Sequence, residues 1–130
     1  MSDSEHMVGL WGLVSYHRTE ADGSVTQPFG AAPVGRLLYT ADGYMSAHIM
    51  PGGDGAEGMA PTSVVAYCGG WKVGGGEVIH DVLVGSGTVP SGAPVSREIG
   101  WQDGQLVLSA AGWKQGETKG RRALVWRRVA

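Results

Sequence analysis

Gly30-Ala-Ala-Pro-Val-Gly35-Arg-Leu-Leu-Tyr-Thr40-Ala-Asp-Gly-Tyr-Met45-Ser-Ala-His-Ile-Met50 is the stretch on which the fold turns. Two runs of strand-forming residues flank Asp42-Gly43. An Asp-Gly pair between such runs is a strong hairpin signal, because glycine enters the positive φ of a tight turn without steric cost. A turn centred on that pair puts Leu37 and Tyr39 on one strand as a cavity wall. Tyr44, Ser46 and His48 line the partner strand. Side chains alternate between faces along a strand, and both faces here carry apolar groups. That pattern fits one face lining an interior while the other packs on a neighbour.

The same punctuation recurs outward from this hairpin. Val8 to Arg18 reads as a strand, with Trp11, Leu13, Ser15 and His17 sharing a face and Trp11 plugging the base of the fold. Ser24 to Phe29 reads as a short strand after the Ala21–Ser24 turn. Strands follow over 62–73 and Glu77–Gly85, joined through Gly74-Gly75-Gly76, with Val78, His80, Val82 and Val84 on one face. Val95–Trp101 and Gln105–Ala110 flank a second Asp-Gly pair, and Arg121–Val129 closes the chain. Residues 51–61, 86–94 and 111–120 read as loops, rich in glycine, proline or polar side chains. Residues 1–7 read as a flexible N-terminus, and 8–130 as a single domain.

No segment carries a helical period. The 23 glycines, spread between apolar runs, describe an all-β protein with many tight turns. An antiparallel meander of 8–10 strands is too long to stay open and flat, and its hairpin order favours an up-and-down β-barrel with little helix. A barrel of that size holds side chains or one small ligand.

Composition narrows the function. The net charge of −2 gives no reason to expect nucleic acid or a membrane as partner. The charge is uneven, −5 over residues 1–65 and +3 over 66–130, with Lys119, Arg121, Arg122, Arg127 and Arg128 clustered near the end. Those cations read either as a solvated strand or as a patch for an anionic ligand. The single cysteine, Cys68, excludes an internal disulfide and fits a reducing, cytoplasmic location. The four histidines lack metal-ligand spacing, so no metal and no cofactor are expected.

His80 is the leading chemical candidate, an imidazole set mid-strand among valines, able to act as general acid or base or simply to complete a core. Tyr39, Tyr44 and Tyr67 are phenols for a ligand carbonyl. Arg97, between Val95 and Ile99, demands a partner if it faces inward, either a carboxylate or the anionic group of a ligand. His48 and Ser46 sit near a barrel mouth, and Trp71 and Trp101 are candidates to stack on an aromatic ligand.

The order and spacing of Gly9-Leu-Trp-Gly-Leu-Val-Ser-Tyr16, Pro28-Phe-Gly30, Gly35-Arg-Leu-Leu-Tyr-Thr40, Asp42-Gly-Tyr-Met-Ser-Ala47, Ala66-Tyr67 with Gly69, His80, Arg97 and Leu124-Val-Trp-Arg-Arg128 resembles the lipocalin-like domain family of small bacterial and fungal proteins. The resemblance implies a β-barrel with an internal cavity and a link to polyketide and other secondary metabolism. It departs at 51–61, where relatives carry a longer, partly helical acidic segment. Two functions are expected. One is binding of a small hydrophobic molecule, aromatic or polyketide-like. The alternative is a cofactor-independent cyclase, isomerase, lyase or dehydratase, with His80 as acid/base, Tyr67 polarising a carbonyl and Arg97 stabilising an enolate or carboxylate. The apolar residues on both strand faces also allow a homodimer.

Overall fold

A computed structural model describes residues 2–52, 64–86, 92, 94–111 and 121–130. The expected loops 51–61, 86–94 and 111–120 fall largely outside the described residues. A helical turn α1 (Asp3–Met7) leads into β1 (Gly9–Thr19), β2 (Val25–Thr26), β3 (Val34–Tyr39), β4 (Tyr44–Met50), β5 (Val65–Gly74), β6 (Glu77–Gly85), β7 (Pro94–Gln102), β8 (Gln105–Ala111) and β9 (Arg121–Arg128). The strands pair antiparallel in the order β1-β3-β4-β5-β6-β7-β8-β9. β9 returns to pair with β1, so eight strands close into a barrel, and the two-residue β2 adds to the edge of β1. This is the up-and-down barrel expected from the meander of turns, and closure removes the exposed sheet edges.

The interior is filled at one end. Met7, Trp11, Leu37, Tyr39, Val78, Leu106 and Trp126 are buried there. Residues 3–7, expected to be flexible, instead cap the barrel. Ser2 accepts a hydrogen bond from the Glu5 amide, and Met7 is wholly buried. The Trp11 indole donates to the Met7 carbonyl at 2.8 Å. Arg128 lies over the Trp11 ring and donates to the carbonyls of Val8 and His6. One apolar side chain and four satisfied carbonyl or indole groups anchor a segment whose own composition is polar, and that is why composition alone suggested fraying.

Three local features reset which residues face inward. The first is the turn in the opening hairpin. It spans three residues, Ala41-Asp42-Gly43, with Gly43 at φ 96° and Thr40 bonded to Tyr44 across it. Leu37 therefore pairs with Ala47 and Tyr39 with Met45. A two-residue turn would shift the register by one and reverse every side chain on β4. As formed, Met45, Ala47 and Ile49 face inward while Tyr44 and His48 are exposed. The second feature is a bulge at Val14, between Leu13 and Ser15. It brings Tyr16 onto the inner face of Trp11 and Leu13, where alternation had placed Ser15 and His17. The third is a bulge between β5 and β6, where Cys68 pairs with Val84 but Gly69 with Val82, leaving Leu83 unopposed. Val78, His80 and Val82 stay inside, and Val84, expected on the same face, is 65 % exposed. The expected strand at Ser24–Phe29 shrinks to Val25–Thr26, because a turn from Gln27 to Gly30 swings Phe29 onto Tyr16.

Candidate cavity and its hydrogen-bonded triad

Above the packed end the barrel keeps a cavity of about 70 Å³. Its wall is mainly apolar and aromatic: Leu37, Ala47, Ile49, Val65, Leu108 and Leu124, with Tyr16, Phe29 and Trp126. Polar side chains on the wall include Tyr67, His80, Arg97 and Arg122.

His80 is the hub. It is buried on β6, and each ring nitrogen meets a phenol. Tyr39 Oη lies 2.6 Å from Nε2 and Tyr67 Oη lies 2.7 Å from Nδ1. The barrel itself explains this meeting. Tyr39 comes from β3, Tyr67 from β5 and His80 from β6, all on inward positions at similar height. A neutral imidazole carries one donor and one acceptor, so the two contacts differ in direction. Tyr39 is wholly buried, with His80 as its sole hydrogen-bond partner among the described residues. Its hydroxyl proton must go to that partner, since an unmade buried donor costs about 1–3 kcal/mol. Tyr39 then donates to Nε2, Nδ1 carries the proton and donates to Tyr67, and the Tyr67 O–H is left to point at the cavity. This assignment predicts the Nδ1–H tautomer for His80. A long-range nitrogen–proton correlation spectrum should show it at neutral pH, and an Nε2–H pattern would refute the chain of donors.

Burial, with the nearby Arg97 charge adding to it, holds the His80 pKa down from 6.5 to about 3. Burial raises Tyr39 well above its ordinary 10. It raises Tyr67 too, against the opposing pull of Arg97 and Arg122. All three groups are therefore neutral at pH 7. Such a triad polarises a hydroxyl without carrying charge.

Arg97, half-buried on β7, donates to its neighbouring Ser96 carbonyl. It forms no ion pair among the described residues, where the pairs are Arg18–Glu20 and Arg121–Glu98. Burial pushes its pKa down, with Arg122 adding to the shift and the hydroxyls of Tyr67, Tyr16 and Tyr39 opposing it. Arg122 reaches the cavity from β9. Of the basic cluster expected near the end of the chain, it alone lines this space among the described residues, while Arg121, Arg127 and Arg128 are exposed.

The residues singled out from the sequence divide by position. His80, Tyr67 and Arg97 converge on the cavity, and Tyr39 stands behind His80. Tyr44, Ser46 and His48 project from the outer face of β4, the consequence of the three-residue turn. His48 and Ser46 border a shallow outer groove with Ala66, Cys68 and Val84. Trp71 is committed to packing. Its ring sits 4.5 Å from that of Tyr39, and its indole donates to the Thr40 carbonyl. Trp101 lies outside the capped end, donating to Asp3. Sequence reading passed over Tyr16 and Phe29 as cavity residues. Tyr16 was hidden by the β1 bulge. Phe29 is the chain's single phenylalanine, in a loop bracketed by prolines. Among the described residues no group of three or more metal-ligating side chains gathers.

Comparison with known families agrees with this architecture. The family model of the lipocalin-like domain matches residues 8–59, from the first strand through the opening hairpin and beyond it. Over that stretch the chain is similar to the lipocalin-like domain, and its fold is a closed eight-stranded antiparallel β-barrel. None of the curated proteins compared with it matches. The matched stretch supplies Tyr16, Phe29, Leu37, Tyr39 and Ala47, and the remaining strands bring His80, Tyr67 and the arginines.

Proposed function

We propose that this lipocalin-like protein binds one small, mostly apolar molecule in the barrel, an aromatic or compact polyketide-like ring of secondary metabolism. The observation that carries the reading is a mainly apolar cavity lined by Tyr67, a neutral donor oriented by His80 and Tyr39. Pockets of this kind use a few placed polar groups to orient an apolar ligand. Size sharpens the ligand class. A dry cavity of about 150 Å³ holds benzene, so about 70 Å³ sets a single ring as the upper bound on the ligand.

Titration with benzamide, followed by protein NMR, should move the amide signals of Leu37, Ala47 and Leu124. Ala47→Phe places a ring inside the cavity. It should weaken that binding by about tenfold or more while the chain stays folded, since overpacking costs about 1–3 kcal/mol. Binding that survives Ala47→Phe unchanged would put the ligand elsewhere.

The enzymatic alternative, a cyclase, isomerase, lyase or dehydratase, draws support from Tyr67 and Arg97 lining the same space. A hydroxyl donor beside a guanidinium suits a developing enolate. A His80 pKa near 3 makes its imidazole a weak base. In that reading His80 orients Tyr67, and Tyr67 rather than His80 touches the substrate.

A further inference from the structure

We infer that the cavity's ligand carries an anionic group, a carboxylate or an ionised enol or phenol, seated against Arg97 with Arg122 beside it. The inference rests on the binding reading above and adds the charge of the ligand.

Three observations carry it. First, the cavity wall holds two guanidinium groups and, among the described residues, no carboxylate. His80 and Tyr67 are neutral there at pH 7, so they do not balance the Arg97 charge. Second, Arg97 is half-buried yet has no acidic partner among the described residues. Its one hydrogen bond, to Ser96, uses one of five guanidinium donors. A guanidinium held in this way presents a fork that matches a carboxylate with two parallel hydrogen bonds. Third, Arg122 lines the same wall and its like charge adds to the lowering of the Arg97 pKa. An anion seated on Arg97 offsets that repulsion.

The surroundings select the rest of the molecule. Tyr16 and Phe29 meet edge to face at 5.4 Å beside Arg97 and Arg122 on the cavity wall, offering aromatic surface to a ring. Tyr67 offers one further donor, suited to a carbonyl or hydroxyl oxygen on that ring. The fitted ligand is a single-ring aromatic or enolic acid, with its anion toward the arginines.

Benzoate and benzamide, alike in shape and differing in charge, separate the possibilities. Isothermal titration at low ionic strength should give benzoate at least about tenfold higher affinity than benzamide, a preference that shrinks as salt rises. Arg97→Gln should remove most of that preference, and Arg97→Lys should restore part of it. Thermal melts of each variant establish that it is folded. Equal affinities for the two probes in the wild-type protein would overturn the charge inference and leave the binding reading standing. A preference for benzoate that persists in the Arg97→Gln/Arg122→Gln double variant would also overturn it. If neither probe binds, both readings fail together.

Discussion

Between pH 6.5 and pH 3 the folded barrel should lose on the order of 4 kcal/mol of stability through His80 alone. In the unfolded chain this histidine takes up a proton near its ordinary 6.5. In the barrel it resists protonation down to about 3. A group whose folded pKa is depressed contributes stability that is intact above the unfolded pKa and drains away as the pH falls toward the folded one. The slope is about 1.4 kcal/mol per pH unit across that window. The physical cause is local. Protonated His80 would hold two N–H donors, and Tyr39 could no longer donate to Nε2. A charge would also be buried near Arg97. Asp22, held below the ordinary carboxylate range by its hydrogen bonds from Ser24, responds to acid as well. His80→Gln isolates the histidine, because glutamine stays neutral while retaining a donor and an acceptor for the two phenols. Wild type should exceed the variant in stability at pH 7, and the gap should close as the pH drops toward 3. Urea unfolding at several pH values measures both curves. Parallel curves would mean that His80 titrates normally, and the buried neutral triad would have to be abandoned.

Architecture was legible because turn chemistry and alternation agree along the chain. Asp-Gly and Gly-Gly turns mark hairpins, and a meander of this length must close. What could not be read was facing. Alternation is a reliable guide only while the register is continuous, and three one-residue events break it: the third residue in the Ala41–Gly43 turn, the extra Val14 in β1 and the extra Leu83 in β6. Each leaves the strands where they were expected and reverses or shifts the side chains beyond it. His80 and Arg97 escaped because both lie on stretches free of such events. Tyr44, Ser46 and His48 did not. One signal for β4 was available: Met45, Ala47 and Ile49 form the more apolar of its two faces, and a core facing decided by composition would have placed them inside. Tyr39 was grouped with the ligand wall, whereas its buried hydroxyl does its work one step back, by orienting His80. Long-range side-chain partnerships of this kind, spanning 41 residues, have no local trace.

Replacing Gly69 with alanine should be among the most damaging single-methyl changes in the molecule. A Cβ there would stand 1.8 Å from the Asp81 carbonyl oxygen and 3.0 Å from the Leu83 amide nitrogen. Both obstacles are backbone atoms of β6, so no rotamer change relieves them. The strands must part or the bulge must be undone, at an expected cost on the order of 3–5 kcal/mol. The neighbouring Gly70 makes the control, because its Cβ would meet only the Gly43 carbonyl oxygen at an ordinary 3.5 Å. Gly70→Ala should cost less than about 1 kcal/mol. The contrast reaches the site as well as the fold. The bulge between Cys68 and Gly69 sets how β5 lies along β6, and Tyr67 stands two residues before Gly69 while His80 stands opposite Trp71. Shifting that alignment separates the Tyr67 hydroxyl from Nδ1. A Gly69→Ala protein that still folds should therefore show a changed His80 ring signal and weakened benzamide binding, whereas Gly70→Ala should show neither. Equal stability of the two variants would mean that β5 and β6 do not approach as closely as the bulge requires. The alignment of Tyr67 with His80 would then need another origin.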